Sequence, residues 1–211
     1  MVASSTSITY TDQASFLGAL SSSITEDFEG YAAGTVITNQ LTGVNSVTTD
    51  GTGGSTQAEI GSVAGLPFPM TAGKPTSSGD RFLSSELAAE VYAHAGLIFD
   101  LDGAYNGVGL YVVDGGPLGN FNISLFDGLS LVDAASFPPQ TLPNSFVGVI
   151  STVPFNHMVI DAADSGDSWG MDDFTIGKIV VPEPGTGILL GLGLAFVFGL
   201  RRRRAKLRLE T

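Results

Sequence analysis

Apolar and polar positions alternate, or apolar positions run on unbroken, in segments of strand length set between Gly, Pro and Asp breakers. This pattern predicts strands over 24–28, 44–49, 95–101, 107–113, 121–126, 146–152, 157–161 and 173–178. Short strands at such spacing predict a mainly β fold, an antiparallel jelly-roll-like β-sandwich. One or two short helices are expected beside it. Asp12 or Thr11 can cap a first helix in which Phe16 and Leu20 fall one turn apart; a second, over 84–92, carries Leu87 and Val91 at the same spacing. Residues 50–79 are rich in Gly, Ser, Thr and Pro, and read as a long loop with at most short strands.

The period is lost after residue 179. Pro182, Glu183 and Pro184 precede sixteen uncharged residues, 185–200, and these are followed by Arg201, Arg202, Arg203 and Arg204. As a helix the uncharged run would reach roughly 24 Å, against about 30 Å for a hydrocarbon core, so it makes a marginal span. Gly185, Gly187, Gly191, Gly193 and Gly199 weaken it further. Arginines stay on the cytoplasmic side, which places everything before Pro182 across the membrane. The expected organisation is an exported β domain over 1–179, a linker over 180–184, a transmembrane helix over 185–200 and a basic cytoplasmic tail over 201–211.

Pro-Glu-Pro, a short glycine-bearing apolar helix and an arginine cluster, in that order, resemble the PEP-CTERM sorting signal of Gram-negative and related bacteria. The resemblance implies that a membrane protease-transpeptidase, exosortase, recognises the tail and processes it near Pro182, Glu183 and Pro184. It implies transient residence in the inner membrane, then release to the cell surface or matrix. The prolines keep the segment extended and free of ladder hydrogen bonds, which suits a protease cleft. A fainter likeness to the β-sandwich domains of such proteins rests on residues 11–16, 27–30, 146–149 and 169–174. An exported chain is expected to carry a secretion signal, and residues 1–7 have neither its basic nor its apolar part, so that signal is expected upstream.

Composition narrows the function. Ahead of the tail, nineteen acidic side chains face three basic ones, a balance of −16. Such a surface repels nucleic acid and anionic lipid. There is no cysteine, so disulfides, thiolate metal sites and cysteine nucleophiles are excluded.

Two acidic groups stand out, Glu26, Asp27 and Glu29 near the start and Asp161, Asp164, Asp167, Asp172 and Asp173 near the end. On neighbouring strands, Asp27 and Glu29 would face outward beside Asp172 and Asp173, with Phe28, Phe174 and Ile176 turned inward. A structural Ca²⁺ held by Asp27, Glu29, Asp172 and Asp173 would remove their repulsion; the alternative is a solvated strand edge. Residues 100–103 begin like a calcium loop, lack its closing Glu, and read as a turn. Trp169 is a candidate sugar-stacking residue, with core packing as its alternative. His157 is expected to be structural. No serine-hydrolase elbow or zinc spacing appears, and a carboxylate pair for glycoside hydrolysis cannot be read from spacing. The expectation is a non-enzymatic surface or matrix protein of a biofilm rich in exopolysaccharide, with a carbohydrate-binding module, Ca²⁺-dependent or not, and a secreted glycosidase as alternatives.

Overall fold

The computed structural model describes residues 7–51, 57–62, 78–84, 96–113, 120–138, 145–162 and 169–180. The chain divides into two units, Met1–Ile179 and Val180–Thr211. The first is built from β1 (Ser7–Tyr10), α1 (Gln13–Ala19), β2 (Ser22–Glu26), β3 (Val36–Ile37), β4 (Val44–Thr49), β5 (Ala58–Ser62), β6 (Arg81–Ser84), β7 (Leu97–Val113), β8 (Phe121–Asp127), β9 (Ser130–Phe137), β10 (Ser145–Ala162) and β11 (Gly170–Lys178).

All pairings are antiparallel, and the described strands form one continuous sheet. Two long strands, β7 and β10, run through its whole width. Their first-and-last pairing, Leu97 to Asp100 against His157 to Ile160, joins β4 and the β8–β9 hairpin into one arm. Gly107 to Val112 of β7, against Ser145 to Ile150 of β10, joins β1, β11, β2 and the β6–β5–β3 ladder into the other. A register shift in β10 between Ile150 and His157 separates the arms. Side chains from both arms meet in one core: Phe99 stacks on Phe174 at 4.9 Å, and Phe121 meets Trp169 edge-on at 5.1 Å.

Each arm explains its part of the hydrophobic pattern. In the first half of β7, Leu97, Phe99 and Leu101 are buried while Asp100 and Asp102 face solvent, the alternation of a sheet with one wet face. From Tyr105 to Leu110 every residue is buried, because that half is covered on both sides. The cover is α1. Asp12 caps it by accepting a hydrogen bond from Ser15 N at 2.8 Å, which also holds the Asp12 carboxyl below its ordinary range. Its Phe16 and Leu20 rest on a glycine floor: a Cβ on Gly107 would come within 2.7 Å of Leu20, and one on Gly148 within 2.9 Å of Phe16. Gly107, Gly109 and Gly148, which fall inside predicted strands, are therefore the seat of a helix.

The structure changes several expectations. From Leu97 on, the segments predicted at 95–101 and 107–113 are one strand, as are 146–152 and 157–161, so residues 100–103 lie inside β7 and form no turn. The hydrogen-bonded sheet is single, not two separate sheets. The first expected helix is present; the second falls on residues outside those described, apart from Ser84, which ends β6. The transmembrane helix over 185–200 also lies outside them, and among the described residues no helix is long and apolar enough to cross a membrane.

Candidate functional site

The two acidic groups do approach each other, but through an intermediary. β2 pairs with β11, with Glu26 opposite Phe174, and residues 78–81 lie against both sets of carboxylates. Arg81 N donates to Glu29 Oε1 at 2.7 Å, and Ser78 Oγ donates to Asp172 Oδ2 at 3.2 Å. Gly79 packs so closely on the Glu29 carboxylate that a Cβ would come within 2.4 Å of it.

Most of the other carboxylate contacts fix unusual backbone. Phe28 has φ +59 with its ring fully buried, a costly conformation for a bulky side chain. It is held by Glu26 Oε1, which accepts from Phe28 N at 3.0 Å, and by Asp27 Oδ1, which accepts from Glu29 N at 3.1 Å. Asp173 has φ +47 where β11 shifts register against β7, and its N–H donates to Asp172 Oδ1 at 2.7 Å. Burial pushes the Glu26 carboxyl up, opposed by the bond from Phe28 N and reinforced by the Asp27 charge. Burial also raises the Tyr111 phenol, with the charges of Asp173 and Asp12 adding to it.

This geometry corrects the sequence reading of the site. Phe28, Phe174 and Ile176 do turn inward, yet Phe28 does so from a left-handed turn beyond β2, and Asp172 and Asp173 are buried where an outward-facing Asp173 was expected. Among the described residues no three His, Cys, Asp or Glu side chains form a group that could hold a metal ion. Backbone N–H groups and Ser78 donate to the carboxylates of Asp27, Glu29 and Asp172. Trp169 is fully buried against Phe121 and presents no face for a sugar ring.

A different constellation lies on the solvent face of the first arm, and sequence reasoning passed over it. His157 Nδ1 is 2.6 Å from Asp100 Oδ1, and Ser46 Oγ donates to Asp100 Oδ2 at 2.9 Å. The bond to His157 holds the Asp100 carboxyl below its ordinary range. Phe126 meets the imidazole edge-on at 5.4 Å. Ser46 is bonded to the carboxylate and not to the imidazole, so the three are not arranged as a nucleophile, base and orienter. The only sequence signal for this row was that Asp100, His157 and Phe126 occupy outward positions of three predicted strands; their register could not be read.

The other end of β11 leads to the linker. Ser21 N and Oγ donate to the Lys178 carbonyl at 2.7 and 2.8 Å, Ile179 packs on the Phe16 cluster, and Val180 is exposed. Pro182, Glu183, Pro184 and Arg201, Arg202, Arg203 and Arg204 lie outside the described residues.

Comparison with known proteins identifies that segment. The PEP-CTERM protein-sorting motif matches residues 180–204. No curated protein matches the chain. Among solved structures it is similar to a Stig cyclase, Fisc, from Fischerella sp. TAU (13% identity, 82% of this chain and 90% of that one, TM-score 0.40). It is also similar to the K2 cleaved adhesin domain of Lys-gingipain (15%, 74% and 99%, 0.33). A third is the M60 catalytic domain with its CBM51-1 and CBM51-2 domains from Clostridium perfringens ZmpB (15%, 74% and 15%, 0.32), of which this chain spans only that small share. Likeness at this level carries no argument about function.

Proposed function

We propose, for a chain that carries a PEP-CTERM sorting motif, that the β domain is a non-enzymatic cargo which exosortase releases to the cell surface or extracellular matrix, where it has a structural or adhesive role. The single observation behind this reading is the motif at 180–204, whose presence implies export and processing by exosortase. The body's balance of −16 supports a soluble outer-surface life and disfavours nucleic acid as a partner. We read the two arms, with Phe99 on Phe174 between them, as the faces of a sandwich-like body, and the apolar run 185–200 as its temporary membrane helix, oriented by Arg201 to Arg204.

The test is mass spectrometry of the mature protein from its own host, with fractionation. The reading expects a C-terminus trimmed near Pro182 to Pro184 and material in the envelope or medium. Protein that keeps its arginines, or that stays in the cytosol, overturns it.

A further inference from the structure

The folded body lets go of the chain at one peptide bond, and the sorting motif starts there. Toward its end β11 is gripped by the corner between α1 and β2. Gly177 pairs with Ser23 and Lys178 with Ser22, and a Cβ on Gly177 would come within 2.5 Å of Leu20 and 2.8 Å of the Ser22 carbonyl. Ser21 closes the strand, its N–H and its hydroxyl both donating to the Lys178 carbonyl. Ile179 is the last residue held, half-buried on the cluster of Phe16, Phe146 and Ile150 that Leu20 also joins. Val180 is 74% exposed; it opens the second unit of the chain and is also the first residue of the match to the sorting motif. No spacer separates the two, and only Val180, Val181 and Pro182 stand ahead of Glu183.

We propose that this grip is a positioning device for the processing step: Ser21 and Ile179 fix Val180 as the first residue that exosortase can take, which holds cleavage to the motif and leaves β11 whole in the released body. Cleavage needs an extended segment whose backbone is free to pair with the enzyme, and a strand held in a sheet supplies none until it opens locally. Opening here has to break both hydrogen bonds to the Lys178 carbonyl, the register with β2 and the seat of Ile179 together. Ahead of Glu183 the enzyme is therefore left three residues, about 10 Å of chain even when fully extended. That is a short approach for an enzyme working against the surface of a folded domain, so the grip also slows the step that it positions. Ser21 and Ile179 touch no reacting atom; they act through the chain that they hold.

This inference rests on the sorting reading, because it concerns the same processing step. The experiment is pulse labelling of the full-length chain in its own host, with the rate of tail loss followed on gels and the new C-terminus read by mass spectrometry. Inserting Gly-Ser-Gly-Ser between Ile179 and Val180 leaves every held residue in place and should speed trimming about threefold or more, with no change in melting temperature. Ser21→Pro removes both donors to Lys178, Ile179→Ser removes the apolar seat, and each should add C-termini upstream of Val180. Ser21→Thr keeps both donors and should give the parent's rate and ends. The spacer leaves the fold untouched, so it decides the matter even where Ser21→Pro does not fold. Trimming of the spacer chain at the parent's rate or more slowly overturns the proposal, as do parent-like ends in both of the loosened chains. A parent chain that keeps its arginines overturns the sorting reading and this inference with it, whereas a trimmed parent with unmoved variants overturns this inference alone.

Discussion

Phe16 lies directly on Gly109: a Cβ there would sit 2.8 Å from Phe16 Cε1 and 2.7 Å from Phe146 Cζ. Both rings are buried and lean on each other at 5.5 Å, so neither can move aside freely. Gly109→Ala should therefore destabilise the domain by about 1–3 kcal/mol through overpacking. Gly18 is the opposite case. It lies within α1 with no atom within 4 Å of its Cβ position, so Gly18→Ala should stabilise by about 0.4–1 kcal/mol. Urea unfolding of both variants checks the pair; equal signs would refute the helix-on-glycine packing.

How far the sequence could be read follows from which faces are wet. β8 has one solvated face and alternates, and the ends of β4 and β8 fall on or close to the predicted ones. β7 and β10 were split in two because their middle residues, such as Asp102-Gly103 and Pro154, look like turns; only cross-strand partners show that the strands continue. β5 and β6 are short and interrupted by small residues, leaving little period to detect. At the acidic junction the inward side chains were legible from alternation. The reversal at Phe28 was not, because its positive φ depends on hydrogen bonds from outside the residue itself.

Asp172 gathers Ser78 Oγ and Asp173 N on its two oxygens with no exposure to solvent. Asp172→Ala leaves both donors without that acceptor, at a cost of about 1–3 kcal/mol, and should release residues 78–81 from β11. Because these hydrogen bonds already offset the carboxylate charge, the melting temperature should be the same in excess chelator and in excess Ca²⁺. A chelator-dependent fall in melting temperature would restore the ion.

Glu26 is a carboxyl whose folded-state pKa is raised, chiefly by burial. Its ionised form is disfavoured in the fold, so it subtracts stability above the folded pKa, and that penalty disappears as pH falls through it. Glu26→Gln keeps an oxygen to accept from Phe28 N and removes the charge beside Asp27. The variant should melt higher than the parent at pH 7 and converge with it below about pH 4, close to the unfolded carboxyl pKa. A lower melting temperature at pH 7 would show that the charge itself holds the Phe28 turn.

Tyr105 makes the corresponding prediction at high pH. Its phenol, nearly closed to solvent, donates to Asp102 Oδ1 at 2.8 Å, and Lys178 Nζ lies 5.3 Å over its ring. Burial first, then the bond to Asp102 and that carboxylate's charge, push its pKa up to about 12. The unfolded chain releases the same proton near 10, so between about 10 and 12 the unfolded state binds fewer protons and stability falls with rising pH. Below about 10 the group has no effect on pH dependence. Tyr105→Phe should flatten that part of the stability profile, and absorbance near 295 nm should lose a phenolate step close to pH 12. Asp102→Asn should instead move the step to lower pH, because it removes the carboxylate charge while keeping an acceptor for the hydroxyl; a step that stays in place would mean that burial alone sets it.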